Sequence, residues 1–166
     1  MRKHPETLNL VMDYARVMEA CAAYCEVKTP PIRKPEKAAA ILRPFITAAT
    51  TGDKQEAFVV MLLDTKSRMM GSPRVVTLGL LDRSQAHPRE VFREAVRNSA
   101  ASVILAHNHP SGDPTPSKED IDVTRRLVEA GKLLGIPVVD HLILGRAEPG
   151  AAGFVSLRDK NLVTFE

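Results

Sequence analysis

The apolar positions of this chain change period several times, and each change marks an element. Leu8, Val11, Met12, Ala15, Met18 and Ala22 recur at helical spacing and predict a helix over residues 6–25. It stops in Val27-Lys-Thr-Pro-Pro-Ile-Arg-Lys-Pro35, where three prolines remove backbone donors and disfavour helix in the residues before them. Pro35 opens a second predicted helix that runs to Ala49 and breaks at Thr50-Thr-Gly-Asp53. Residues 57–63, AFVVMLL, are all apolar, as in a strand covered on both faces. Asp64-Thr-Lys-Ser67 turns the chain, and Arg74–Leu81 is the predicted antiparallel partner. Pro88–Asn98 reads as a helix and Ser102–Ala106 as a buried strand. Ser117–Leu134 reads as a long helix stopped by Gly135, Val138–Leu144 as a strand and Phe154–Leu157 as a short last one. Interleaved helices and strands with a hairpin-like pair predict an α/β fold, a mixed β-sheet in three layers flanked by helices.

The proline-rich stretch divides the chain into residues 1–34, a helix and linker, and residues 35–166, the main domain. No internal repeat is visible. The 166 residues suit one domain with an appended segment, long enough to bury roughly two-thirds of its unfolded surface. With 44% hydrophobic and 26% charged residues the composition excludes global disorder. The net charge of +3 permits nucleic-acid contact without arguing for it. No apolar run approaches the roughly 18 residues of a membrane span, and MRKHPETLNL lacks the apolar stretch of a secretory signal. The expectation is a cytoplasmic protein with no membrane partner. Cys21 and Cys25, four apart in a helical pattern, frame no disulfide scaffold.

The chemistry concentrates in His107-x-His109 followed, after seven residues, by Ser117-x-x-Asp120. Alternate strand residues share a face, so the two imidazoles can point the same way from a strand end. The loop returns to a helix whose first turn carries Asp120, where the helix dipole favours an ionised carboxylate. Two imidazoles and a carboxylate leave one tetrahedral position open, the ligand count of a catalytic zinc site, with one zinc per chain. Each part also has a plain structural explanation. A lone His-x-His is common, and Ser117 with Asp120 makes a variant of the capping box. The two readings are compatible, and the combination is far rarer than its parts.

The run Ala106-His-Asn-His-Pro-Ser-Gly-Asp-Pro-Thr-Pro-Ser117 with Asp120, followed by Asp140-His-Leu-Ile-Leu-Gly145, resembles the RadC-like branch of the JAB/MPN metalloprotease superfamily and its JAMM motif. The resemblance covers about residues 36–166. It implies a cytidine-deaminase-like α/β fold and a zinc-dependent hydrolase of peptide or isopeptide bonds, with a peptide or protein as substrate. It also implies His107, His109 and Asp120 as zinc ligands, Glu56 as general base and Ser117 as a stabiliser of the oxyanion. From residue patterning alone Glu56 reads only as a polar residue ahead of a strand. RadC-like proteins commonly carry an upstream helix-hairpin-helix region, but residues 1–50 show no glycine-bearing hairpin. The competing reading is a noncatalytic metal-bound module that binds a protein or DNA partner. Self-association into a homo-oligomer stays open.

Weaker signals surround this centre. Asp140 and His141 are candidates to orient a ligand histidine or simply to pack a strand. His4 and His87 fall in polar loops. Arg89, Arg93 and Arg97 form a stripe that could meet phosphate, but Glu90 and Glu94 at i, i+3 spacing make a solvated, ion-paired face the expectation.

Overall fold

A computed structural model describes residues 30–50, 55–79, 86–147 and 152–165. The predicted helix over 6–25, the cysteines, His4 and the turn at 51–53 lie outside the described residues. Helix α1 spans Pro35–Ala49, strand β1 Ala57–Leu63, β2 Arg74–Leu78, helix α2 Pro88–Arg97, β3 Ser102–Asn108, helix α3 Lys118–Leu134, β4 Val138–Leu144 and β5 Phe154–Ser156. The five strands form one mixed sheet in the order β2-β1-β3-β4-β5. The β3–β4 pair is parallel, as the α3 crossover requires, and the other neighbours are antiparallel.

The unbroken apolar run of β1 is explained by the layers. Phe58, Val60 and Leu62 pack with α2 and α3, whereas Ala57, Val59, Met61 and Leu63 pack with α1. Every residue of β1 is buried, and β3 and β4 are covered in the same way. Two helices on one face and one on the other make three layers, as predicted. Each fully buried Leu, Ile, Val or Phe side chain of these two cores contributes about 1.5–3 kcal/mol of burial free energy. Ile32 joins the α1 core, and its N–H donates to Ser67 O at 2.7 Å.

Local signals set the element ends. Pro88 sits in the first turn of α2, whose N-cap is His87, with Nδ1 accepting from the Arg89 N–H at 3.3 Å. The stripe on α2 is ion-paired as expected: Arg93 meets Glu90 at 3.1 Å and Arg97 meets Glu94 at 3.5 Å. Gly135 ends α3 in the left-handed conformation, φ 69°, which a residue with a Cβ rarely adopts. β3 runs two residues further than the apolar run suggested, so both His107 and Asn108 are strand residues. The strand continues because His107 is itself buried inside the fold.

Candidate metal centre

Register brings the centre together. β1 and β3 pair Phe58 with His107, so Glu56, two residues before Phe58, comes level with His109. Opposed residues of an antiparallel pair point to the same face, which places Glu56, His107 and His109 together on the α3 side. Asn108, on the other face, accepts from the Ala57 N–H at 2.8 Å and donates to Gln55 O at 3.0 Å. That amide therefore clamps the backbone on both sides of Glu56. The Phe58 ring stacks on the His107 imidazole, centroids 6.0 Å apart and planes at 9°.

The loop after β3 delivers His109 and Asp120. His109 N–H donates to Leu144 O, and Gly112 N–H donates back to His109 O, both at 2.9 Å. The loop lies so close to the end of β4 that a Cβ on Gly145 would stand 2.3 Å from Gly112 O. Only glycine fits there. At the start of α3, Ser117 Oγ accepts from the Asp120 N–H at 3.1 Å. The Ser117 N–H and hydroxyl both donate to Asp120 Oδ2 at 2.7 Å. The capping box thus fixes one carboxylate oxygen. The other, Oδ1, lies 3.1 Å from His107 Nε2.

All five residues singled out from the sequence meet at this point. His107 Nε2 is 3.0 Å from His109 Nε2 and 4.0 Å from Glu56 Oε1, and His109 Nε2 is 3.4 Å from Asp120 Oδ2. One ligand atom from each of Glu56, His107 and His109 lies within 4.8 Å of the others. Ser117 stands beside them, held to Asp120.

Thr124 and His141 complete the arrangement behind His107. Thr124 Oγ1 donates its one proton to Asp120 O at 2.5 Å, so toward His141 Nδ1, 2.6 Å away, it can only accept. His141 therefore carries its proton on Nδ1. Burial, followed by the nearby His107, pushes its pKa well down and keeps it neutral. His141 Nε2 then accepts from His107 Nδ1 at 2.8 Å, and the lone pair of His107 Nε2 turns toward Asp120. His109 is set in the same way, its Nδ1 donating to Asp113 O at 2.8 Å. Thr124 was not apparent from the motif. Its signal was position, four residues after Asp120 and hence above it on the same helix face. Of the two residues left open earlier, His141 orients the His107 ring. Asp140 ties β4 to β5, accepting from the Ser156 hydroxyl at 2.7 Å.

Two inward lone pairs beside two carboxylates require positive charge between them. With protons on Nε2 in place of a cation, burial alone would raise the Asp120 carboxyl, but hydrogen bonds from His107 and His109 hold it far below the usual carboxylate range. In that protonated form the hydrogen bond to Asp120 raises His109 against its partial burial. A donor set of two oriented imidazole nitrogens and a carboxylate, with a second carboxylate alongside, fits a zinc-type cation. Thr124→Val removes the hydroxyl while keeping the shape, so it should weaken zinc binding about 10- to 100-fold. Thr124→Ser should restore it. Competition against a chelating indicator measures both, and wild-type affinity in the valine variant would show that the relay does not orient His107.

The RadC-like JAB domain profile matches residues 32–162. The chain belongs to the RadC-like JAB domain family. Within it, the chain is similar to UPF0758 proteins. It is 56% identical to that of Moorella thermoacetica over 109 residues, 66% of this chain and 45% of the relative. The protein of Geobacillus thermodenitrificans is 53% identical over 109 residues, 66% of this chain and 46% of the relative. That of Methanosarcina mazei is 52% identical over 110 residues, 66% of this chain and 45% of the relative. The matched part of this RadC-like JAB domain thus spans less than half the length of these curated relatives. Among its described residues no helix is long and apolar enough to cross a membrane.

Proposed function

We propose that this chain is a zinc-dependent hydrolase of peptide or isopeptide bonds, working in the cytoplasm. The observation that carries the reading is the convergence of two imidazoles, each oriented with Nε2 inward, on Asp120, with the Glu56 carboxylate beside them. His107, His109 and Asp120 are the proposed ligands. A zinc ion held there would supply a Lewis acid that makes water nucleophilic near neutral pH. Glu56 stays outside the ligand set as general base. Its carboxylate takes the proton of the attacking water and returns it to the departing amine, since a carboxylate beside the reacting atoms can serve both directions. The Ser117 hydroxyl, held at the rim by Asp120, is proposed to turn and donate to the oxygen that gains charge at the carbonyl. The substrate is proposed to be a peptide or protein.

Chelator-free purification followed by elemental analysis should find one zinc per chain. The double variant His107→Ala/His109→Ala should lose it, and unchanged stoichiometry would remove the site. A noncatalytic metal-bound module docking a protein or DNA is the second reading. In its favour stands an apolar strip between α2 and α3, where Val96, Leu133 and Leu134 are exposed. Residues 1–34 are proposed as a helix and linker whose last residues, from Ile32, dock on the main domain. Because Ile32 is buried in the α1 core, a truncation that tests this should begin before it.

A further inference from the structure

A second feature adjoins the centre, on the α1 side of the sheet end. It is a cleft of about 260 Å³ walled by Arg43 and Thr47 of α1, by Thr50 just after it, and by Asn108, His109 and Arg146. His109 belongs to both sites. No carboxylate and no Phe, Tyr or Trp is found among the described residues that line the cleft, whereas two guanidinium groups are.

Hydrogen bonds hold the Arg43 guanidinium, and packing on Gly112 places the Arg146 side chain. Arg43 Nη1 donates to Gly145 O at 2.6 Å and Nη2 to Gly153 O at 2.8 Å, closing the β4–β5 connection. Carbonyl dipoles orient that cation and leave its charge in the cleft. Arg146 donates its backbone N–H to Gly112 O at 2.7 Å. Its side chain lies over Gly112, where an added Cβ would stand 3.3 Å from Arg146 Cβ and 3.6 Å from its Cζ. The side chain thereby lies along the loop that carries His109, and Arg146, an exposed residue, lines the cleft. Among the described residues neither arginine has a carboxylate partner.

Cationic groups beside the candidate centre recognise an anion, and the planar guanidinium matches a carboxylate in two parallel hydrogen bonds. Among the described residues the His109 imidazole is the one ring in the lining, and it belongs to the candidate centre, so the cleft lacks the row of rings on which single-strand binders stack bases. The small volume suits one side chain or a chain terminus. We propose that this cleft is a subsite for a carboxylate carried by the peptide substrate within a few residues of the scissile bond, and that Arg146 selects it. The proposal rests on the peptidase reading and names the substrate class, acidic peptides.

The test separates binding from turnover. Zinc-loaded full-length Glu56→Gln protein, with Arg146 intact or replaced by Gln, is titrated with blocked hexapeptides carrying glutamate or glutamine at each position in turn. A 5′-phosphorylated oligothymidylate is the competing probe. Glutamate at one position should improve affinity about tenfold over glutamine, the scale of one charge-assisted hydrogen bond, and Arg146→Gln should abolish the difference. Arg146 is exposed, so its replacement leaves the fold intact. Equal affinity for acid and amide peptides, no peptide binding, or an acid preference that survives Arg146→Gln would overturn the subsite. So would Arg146-dependent oligonucleotide binding tighter than that of any peptide. Acid-selective binding to the variant, together with no cleavage of the same peptides by the wild-type chain, would instead keep the subsite and remove the hydrolase.

Discussion

Glu56→Gln should leave zinc bound and lower peptide hydrolysis by about 10²- to 10⁴-fold, the usual contribution of a general base. The amide keeps the size of the carboxylate and part of its hydrogen bonding, but it cannot take a proton from water at neutral pH. The geometry makes this a clean separation. Glu56 Oε1 is 4.0 Å from His107 Nε2, whereas Asp120 approaches both imidazoles at 3.1 and 3.4 Å, so the metal site retains its three closest donors. The backbone at Glu56 is held through Gln55 and Ala57 by Asn108, which the substitution does not touch. Zinc content and the hydrolysis rate of a peptide pool, measured on one preparation, give both readouts. Full activity in the glutamine variant would exclude the assigned mechanism and favour the metal-bound docking module.

Asp120→Asn should fail differently, losing zinc together with activity. It removes the charged ligand while keeping an acceptor for the Ser117 N–H. Affinity should therefore fall by more than the about 10- to 100-fold expected of an outer partner such as Thr124. Asp120 is also the acidic N3 residue of α3, and part of its worth is structural. Ser117→Ala separates the two contributions. It deletes the cap and should cost about 1 kcal/mol of stability while zinc stays bound. Thermal unfolding and zinc content of both variants check this. Retained zinc in Asp120→Asn would mean that His107, His109 and Glu56 hold the ion without it, and Glu56 could not then be the free base.

Much of this was legible from residue types alone, because the signals concerned are local. The all-apolar AFVVMLL run required cover on both faces, and the structure supplies it through α1 on one side and α2 with α3 on the other. Pro35, Pro88 and Gly135 mark helix ends through their own backbone preferences, which no tertiary contact has to create. Ser117 and Asp120, three residues apart, meet within a single helical turn, and His107 and His109 share a face because strands alternate. Glu56 was different. It stands 51 residues from His107, and nothing in its neighbours distinguishes it from any polar residue before a strand. Family resemblance singled it out, and only the antiparallel register of β1 on β3 brings it level with His109.

The tertiary structure alone decided which proton each imidazole carries. That choice depends on Thr124 and His141, 17 residues apart, whose contact exists because α3 packs on β4. The cleft beside His109 depends likewise on α1, the β3–α3 loop and the end of β4 arriving together. Pattern along a chain encodes period, turns and caps, since these involve neighbours a few residues apart. Lone pairs, relays and clefts depend on distances across the sheet, and those follow from the register and packing of the assembled layers.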